Sequence, residues 1–168
     1  MKGALALARR GLGRVAPNPA VGCILVRDGR VLGRGWTQPG GRPHAETEAI
    51  RRAEAADPEG ARGATCYVTL EPCAHHGKTP PCVDALIEAG VARVVAALED
   101  PDPRVAGSGL ERLRAAGIAV ETGVEAEAAA ELNAGYLLMR RQDRPLITLK
   151  AATTLDGRIA THDGESQW

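Results

Sequence analysis

From Val21 onward the chain alternates apolar strand-like runs with helical patterns, and this alternation limits the possible folds more than any other feature. Val21 to Val26 and Val31 to Trp36, joined by Arg27-Asp28-Gly29-Arg30, read as a hairpin, because Asp-Gly suits the positive φ angles of a tight turn. A helix over Ala45 to Ala56 follows, opened by Pro43 and His44 and closed by Asp57-Pro58-Glu59-Gly60. Next come a strand over Ala64 to Leu70, a helix over Val83 to Ala89 stopped by Gly90, and a strand over Ala92 to Leu98. A helix over Ser108 to Ala116 stopped by Gly117 and a strand over Ile118 to Glu121 complete the series. A hairpin followed by repeated helix–strand units predicts an α/β protein with a mixed five-stranded sheet between two helical layers, a three-layer α/β/α sandwich. Before this series, Leu5 to Gly11 reads as the end of an amphipathic helix, broken by the Gly13 to Pro19 stretch. After it, a last helix is expected over Glu125 to Arg141, then Arg144-Pro145 and a short strand over Leu146 to Lys150.

A length of 168 residues suits one ordinary domain and is short for two. Hydrophobic residues make up 44%, and 21 basic residues balance 21 acidic ones, which argues against disorder and against a generic nucleic-acid patch. No apolar run approaches a membrane span and MKGALALARR lacks a signal-peptide pattern, so the cytoplasm and no membrane partner are expected. Cys23 and Cys66 sit inside apolar runs and read as buried free thiols.

The chemistry lies in His44-Ala45-Glu46, Pro72-Cys73 and Pro81-Cys82. One histidine and two cysteines form a three-ligand set suited to Zn2+, and three protein ligands leave one coordination position open, as in a catalytic site. His44 and Cys82 fall at predicted helix starts, where partial positive charge favours a thiolate. Glu46 lies two residues from His44 and so off its face of a regular helix. It is read as the proton-handling carboxylate beside the open position. Each short motif is weak alone; their order and placement match the zinc-deaminase signature.

At these residues the chain resembles the cytidine-deaminase-like superfamily. The stretch Thr69-Leu-Glu-Pro-Cys-Ala-His-His-Gly-Lys-Thr-Pro-Pro-Cys82 is similar to the deaminase of riboflavin biosynthesis, the N-terminal half of a bifunctional deaminase-reductase. Pro17-Asn18-Pro19, Val21-Gly22-Cys23 and the tail from Lys150 through Asp156-Gly157-Arg158 to Gly164-Glu165-Ser166-Gln167-Trp168 match as well. The resemblance implies a cytidine-deaminase-like fold, Zn2+, and a substrate that is a small pyrimidine ribosyl phosphate. The reaction implied is hydrolytic deamination of 2,5-diamino-6-ribosylamino-4(3H)-pyrimidinone 5′-phosphate, with water as co-substrate and Glu46 as proton shuttle. It also implies a homodimer or higher homo-oligomer.

Eight residues separate Cys73 from Cys82, where the short superfamily signature has two. His75, His76, Lys78 and Thr79 in this insert place cationic and hydroxyl donors beside the metal, as a phosphate or ribose requires. By resemblance Asn18 orients the base, and Ala45 and Asp100 are substrate contacts. Two positions depart from the family: Asp102 stands where asparagine is common, and an ionised aspartate accepts hydrogen bonds and repels phosphate. Thr37 stands near a frequent histidine, so one contact is expected to be weaker or differently made.

Residues 1–143 are therefore expected to form the zinc-dependent deaminase with a C-terminal linker helix, and 144–168 to resemble the opening of the reductase half. There Ala152 and Trp168 match cofactor contacts and Ser166 a substrate contact. These 25 residues are too few for a dinucleotide fold, so NADPH and reductase activity belong to a full-length reductase half. The tail is left either disordered or docked as an extra strand. Two alternatives stand beside the main reading: deamination of another base or nucleoside, or a zinc-stabilised binding module without turnover. Balanced charge argues against nucleic acid, and Glu46 with a three-ligand set argues against a purely structural zinc.

Overall fold

The computed structural model describes residues 1–166. Strands β1 (Gly22–Arg27), β2 (Arg30–Trp36), β3 (Thr65–Val68), β4 (Arg93–Ala96) and β5 (Ala119–Thr122) form one sheet in the order β2-β1-β3-β4-β5. β1 is antiparallel to β2 and β3, whereas β3, β4 and β5 run parallel. This is the expected mixed sheet: a hairpin needs only a tight turn, while each parallel neighbour needs a crossover helix.

Alternation along β1 sends its side chains to two helical layers. Cys23 and Leu25 face α2 (Ala45–Ala56), α3 (Cys82–Glu88) and α4 (Ser108–Ala115), whose Ala49, Val83, Leu86 and Leu113 complete the main core. Gly22 and Ile24 face α1 (Lys2–Ala8), and α1 meets α5 (Ala126–Leu132) on that side. The contact that matters for the site is α2 on β2. A Cβ added to Gly33 or Gly35 would lie 2.0 Å from the carbonyl oxygen of Ala49 or Ala45 respectively. Glycine on the strand and alanine every fourth residue on the helix let the two backbones touch, and this fixes where α2 begins.

β3 and β4 are shorter than predicted, because after Val68 and Ala96 the chain leaves the ladder to form the loops of the site. The helix whose end is expected over Leu5 to Gly11 begins at Lys2 and closes in a 3₁₀ turn over Arg9–Gly11. The predicted last helix is two: α5 and α6 (Ala134–Gln142), broken at Asn133 with φ −105° and ψ 21°. Buried Asn133 accepts a bond from the Ala20 N–H at 2.9 Å and donates to the Ala20 carbonyl at 3.0 Å. A tertiary contact across 113 residues thus overrides local helical periodicity. The expected strand over 146–150 is also absent. That segment takes no place at either sheet edge, and Ile147 and Leu149 are 83% and 88% exposed. A strand without a ladder partner has nothing to hold it extended. Among the described residues no helix is long and apolar enough to cross a membrane.

Candidate metal centre

His44 is the N-cap of α2, Cys82 is the first residue of α3, and Cys73 lies on the loop that leaves β3. The three donor groups gather at the ends of β1 and β3, with their ligand atoms all within 4.8 Å of one another. His44 Nδ1 is 3.3 Å from Cys82 Sγ and 3.7 Å from Cys73 Sγ. Tetrahedral zinc with ordinary Zn–S and Zn–N lengths separates sulfur from nitrogen by about 3.5 Å, so both sulfur–nitrogen separations suit that ion. The Cys82 N–H donates to Cys73 Sγ at 3.3 Å.

Charge is balanced within this cluster. The Cys73 thiol is held down to about 4, first by its hydrogen bond with the Cys82 thiol and then by His44. The Cys82 thiol is pushed up, first by the same bond and then by burial. Glu46 is buried at 4% exposure, and its carboxyl is pushed up to about 7, first by burial and then by the Cys73 charge.

The far ring nitrogen of His44, Nε2, lies 3.3 Å from Asn18 Nδ2, which also donates to the Gly41 carbonyl at 3.0 Å. With Nδ2 donating to Gly41, Asn18 can serve the ring through its second N–H where Nε2 is the accepting nitrogen.

Glu71 anchors the loop carrying Cys73. Its buried carboxylate accepts backbone N–H groups from Asp100 and Gly107 on one oxygen, both at 3.0 Å, and from Gly109 and Leu110 on the other, at 2.9 and 3.4 Å. Gly109 permits this approach, since a Cβ there would stand 2.3 Å from the Pro72 carbonyl. One side chain thus ties the ligand loop to the 100–107 loop and the start of α4.

A cavity of about 560 Å³ opens over these groups. Of the residues expected from sequence, His44, Glu46, Cys73, Asn18, His75, Lys78 and Asp100 line it. Cys82 belongs to the donor trio but is buried behind the cavity wall, and Ala45 is wholly buried with its carbonyl against Gly35. His76 and Thr79 are exposed on the inserted loop and do not line the cavity. Ala152 and Ser166 are exposed on the tail away from it, and Trp168 lies outside the described residues.

Both departures have partners. Asp102 is not an isolated anion: Arg104 reaches it at 2.6 Å and Arg140 at 3.4 Å, and the Arg104 bonds hold its carboxyl down to about 2. Two guanidinium groups against one carboxylate reverse the local sign expected from sequence. Thr37 Oγ1 accepts the Val21 N–H at 3.0 Å and so braces the start of β1. Asp100 accepts the Tyr136 hydroxyl at 3.0 Å, and burial pushes its carboxyl up. Arg42, Arg104, Tyr136 and Arg140 also line the cavity and escaped sequence reasoning. A cation two residues before His44 could have flagged Arg42; nothing local marks Arg140, which arrives from α6.

Residues 1–98 match the model of the cytidine and deoxycytidylate deaminase zinc-binding region. The chain belongs to that family. It is 55% identical over its whole length to the riboflavin biosynthesis protein RibD of Escherichia coli, covering 45% of that protein, and 51% identical to RibD of Aquifex aeolicus, covering 46%. It is similar in structure to the diaminohydroxyphosphoribosylaminopyrimidine deaminase/5-amino-6-(5-phosphoribosylamino)uracil reductase of Thermotoga maritima. The TM-score there is 0.95 at 49% identity, over 100% of this chain and 48% of the other. The chain thus spans less than half the length of the curated relatives it matches. Like other members of this family it carries a mixed open sheet flanked by helices.

Proposed function

We propose that residues 1–143 hydrolytically deaminate 2,5-diamino-6-ribosylamino-4(3H)-pyrimidinone 5′-phosphate to 5-amino-6-ribosylaminouracil 5′-phosphate and ammonia, a step of riboflavin biosynthesis. The observation that carries this is the His44, Cys73, Cys82 trio at the cavity that buried Glu46 lines, in a chain 55% identical to RibD of Escherichia coli. His44, Cys73 and Cys82 would hold zinc, whose Lewis acidity makes water a nucleophile near neutral pH. Glu46 then does the proton work. Its carboxylate takes a proton from the attacking water and gives it to a ring nitrogen; after the C–O bond forms, a second proton goes to the departing amine as the C–N bond breaks. Burial pushes its carboxyl up from the ordinary carboxylate range toward neutrality, where one group can serve as both base and acid. Asn18 and Asp100 are assigned to the base, and His75 and Lys78 to the ribosyl phosphate. Ala45 is wholly buried and His76 and Thr79 face solvent, so none supplies a side-chain contact in this proposal.

Residues 144–168 are assigned to the opening of a reductase half that would use NADPH. Ala152, Ser166 and Trp168 belong to that half by resemblance only. A cytoplasmic homodimer or larger homo-oligomer completes the proposal, and light scattering of the zinc-loaded chain measures its size.

The test is ammonia release by wild type and Glu46→Gln. The variant should keep one zinc per chain and lose turnover by roughly 10²-fold or more. A fully active Glu46→Gln would overturn the proton shuttle, and an inactive wild type the substrate.

A further inference from the structure

Four cationic side chains line the cavity, and they are not equivalent. Arg104 and Arg140 are both held on Asp102. Arg42 and Lys78 take part in no ion pair among the described residues. Arg42 stands on the turn between β2 and α2, two residues before His44, and is half-buried. Its Nη2 lies 3.5 Å from where a Cβ on Gly77 would be, so the guanidinium rests against the loop that separates the two cysteines. Its Nη1 is shielded from solvent and bonded to nothing. Among the described residues the one other buried side-chain polar atom without a partner is Nδ1 of His75, on that same loop and in the same cavity.

Buried donors are nearly always satisfied in folded proteins, because leaving one bare costs the desolvation of that group. A bare guanidinium N–H and a bare imidazole nitrogen, which donates in its Nδ1–H form, lining one cavity from two segments therefore mark the place of an acceptor-rich ligand group. A phosphate monoester carries about −1.5 to −2 charges near neutral pH, which the two unpaired cations Arg42 and Lys78 match in number. Guanidinium presents paired N–H groups to two phosphate oxygens at once, a geometry an ammonium lacks. We infer that Arg42 is the specificity-determining contact for the 5′-phosphate of the substrate, with His75 Nδ1 donating to the same group. The inference rests on the deaminase reading above for the rest of that substrate.

Arg42→Gln and Arg42→Lys test it in the zinc-loaded chain. The ratio of kcat/KM for the pyrimidinone 5′-phosphate over its dephosphorylated form should fall roughly 10- to 100-fold in Arg42→Gln, the worth of a charge-assisted hydrogen bond. Arg42→Lys should recover part of that ratio. In parallel, calorimetry with ribose 5-phosphate against ribose should show a preference in wild type that Arg42→Gln loses. An unchanged ratio together with an unchanged preference overturns the inference while leaving the deaminase assignment intact. So does loss of zinc or of melting temperature in both variants, which makes Arg42 structural. If no pyrimidinone turns over yet ribose 5-phosphate binding still depends on Arg42, the deaminase assignment falls and the phosphate contact stands.

Discussion

Replacing Glu71 with glutamine keeps the shape of the side chain and reverses half of its hydrogen-bonding character. Each carboxylate oxygen faces two backbone N–H groups, so whichever end becomes the amide nitrogen opposes two donors with two more donors. Two buried N–H groups then lose their acceptor, at about 1–3 kcal/mol each. Gly107 and Ser108 are only partly buried, so the first turn of α4 can relax toward water and recover some of this. The expected cost is about 2–4 kcal/mol, which for a domain of this size lowers Tm by roughly 4–16 °C. Because Glu71 sits two residues before Cys73, zinc affinity should fall by about ten-fold or more as the ligand loop loosens. Urea unfolding of the zinc-saturated protein gives the first quantity, and competition with a chromophoric chelator gives the second. Glu71→Gln within about 0.5 kcal/mol of wild type, the ordinary range for an inconsequential surface change, would refute the anchoring role.

Gly35→Ala should displace the start of α2, since its Cβ would sit 2.0 Å from the Ala45 carbonyl. About 1–3 kcal/mol of overpacking or more is expected, with reduced zinc content, and a stable, fully loaded variant in metal analysis would count against the close-contact reading. Asp102 offers a pH test. Its carboxyl lies below its ordinary 3.8, at about 2 when folded, so the unfolded chain takes up the proton first as pH falls. The pair with Arg104 and Arg140 therefore contributes fully above about pH 4 and is lost as pH falls through about 2. Asp102→Asn should flatten the drop in urea midpoint across that window, and an unchanged slope would show the pair to be inconsequential.

The sheet, its helical layers and the converging trio were legible in sequence because each rests on local signals: period-two and helical patterning, glycine stops and ligands at element boundaries. Arg140 was not legible. It lies 38 residues from Asp102, and only the packing of α6 brings them together. Asp102 read alone as a phosphate-repelling anion; its two arginines make it the neutralised member of a cationic cluster. The break at Asn133 was equally hidden, since its partner is Ala20.

By itself the sequence determined the alternation of strands and helices, the donor types and the one carboxylate that can serve them. These depend on backbone periodicity and on side-chain chemistry, both of which are properties of neighbours along the chain. Only the tertiary structure decided which cations remain unpaired, which buried polar atoms lack a partner and which carboxylate holds the ligand loop. Those are properties of neighbours in space, where burial strengthens each charge and hydrogen bond, and sequence spacing does not encode them.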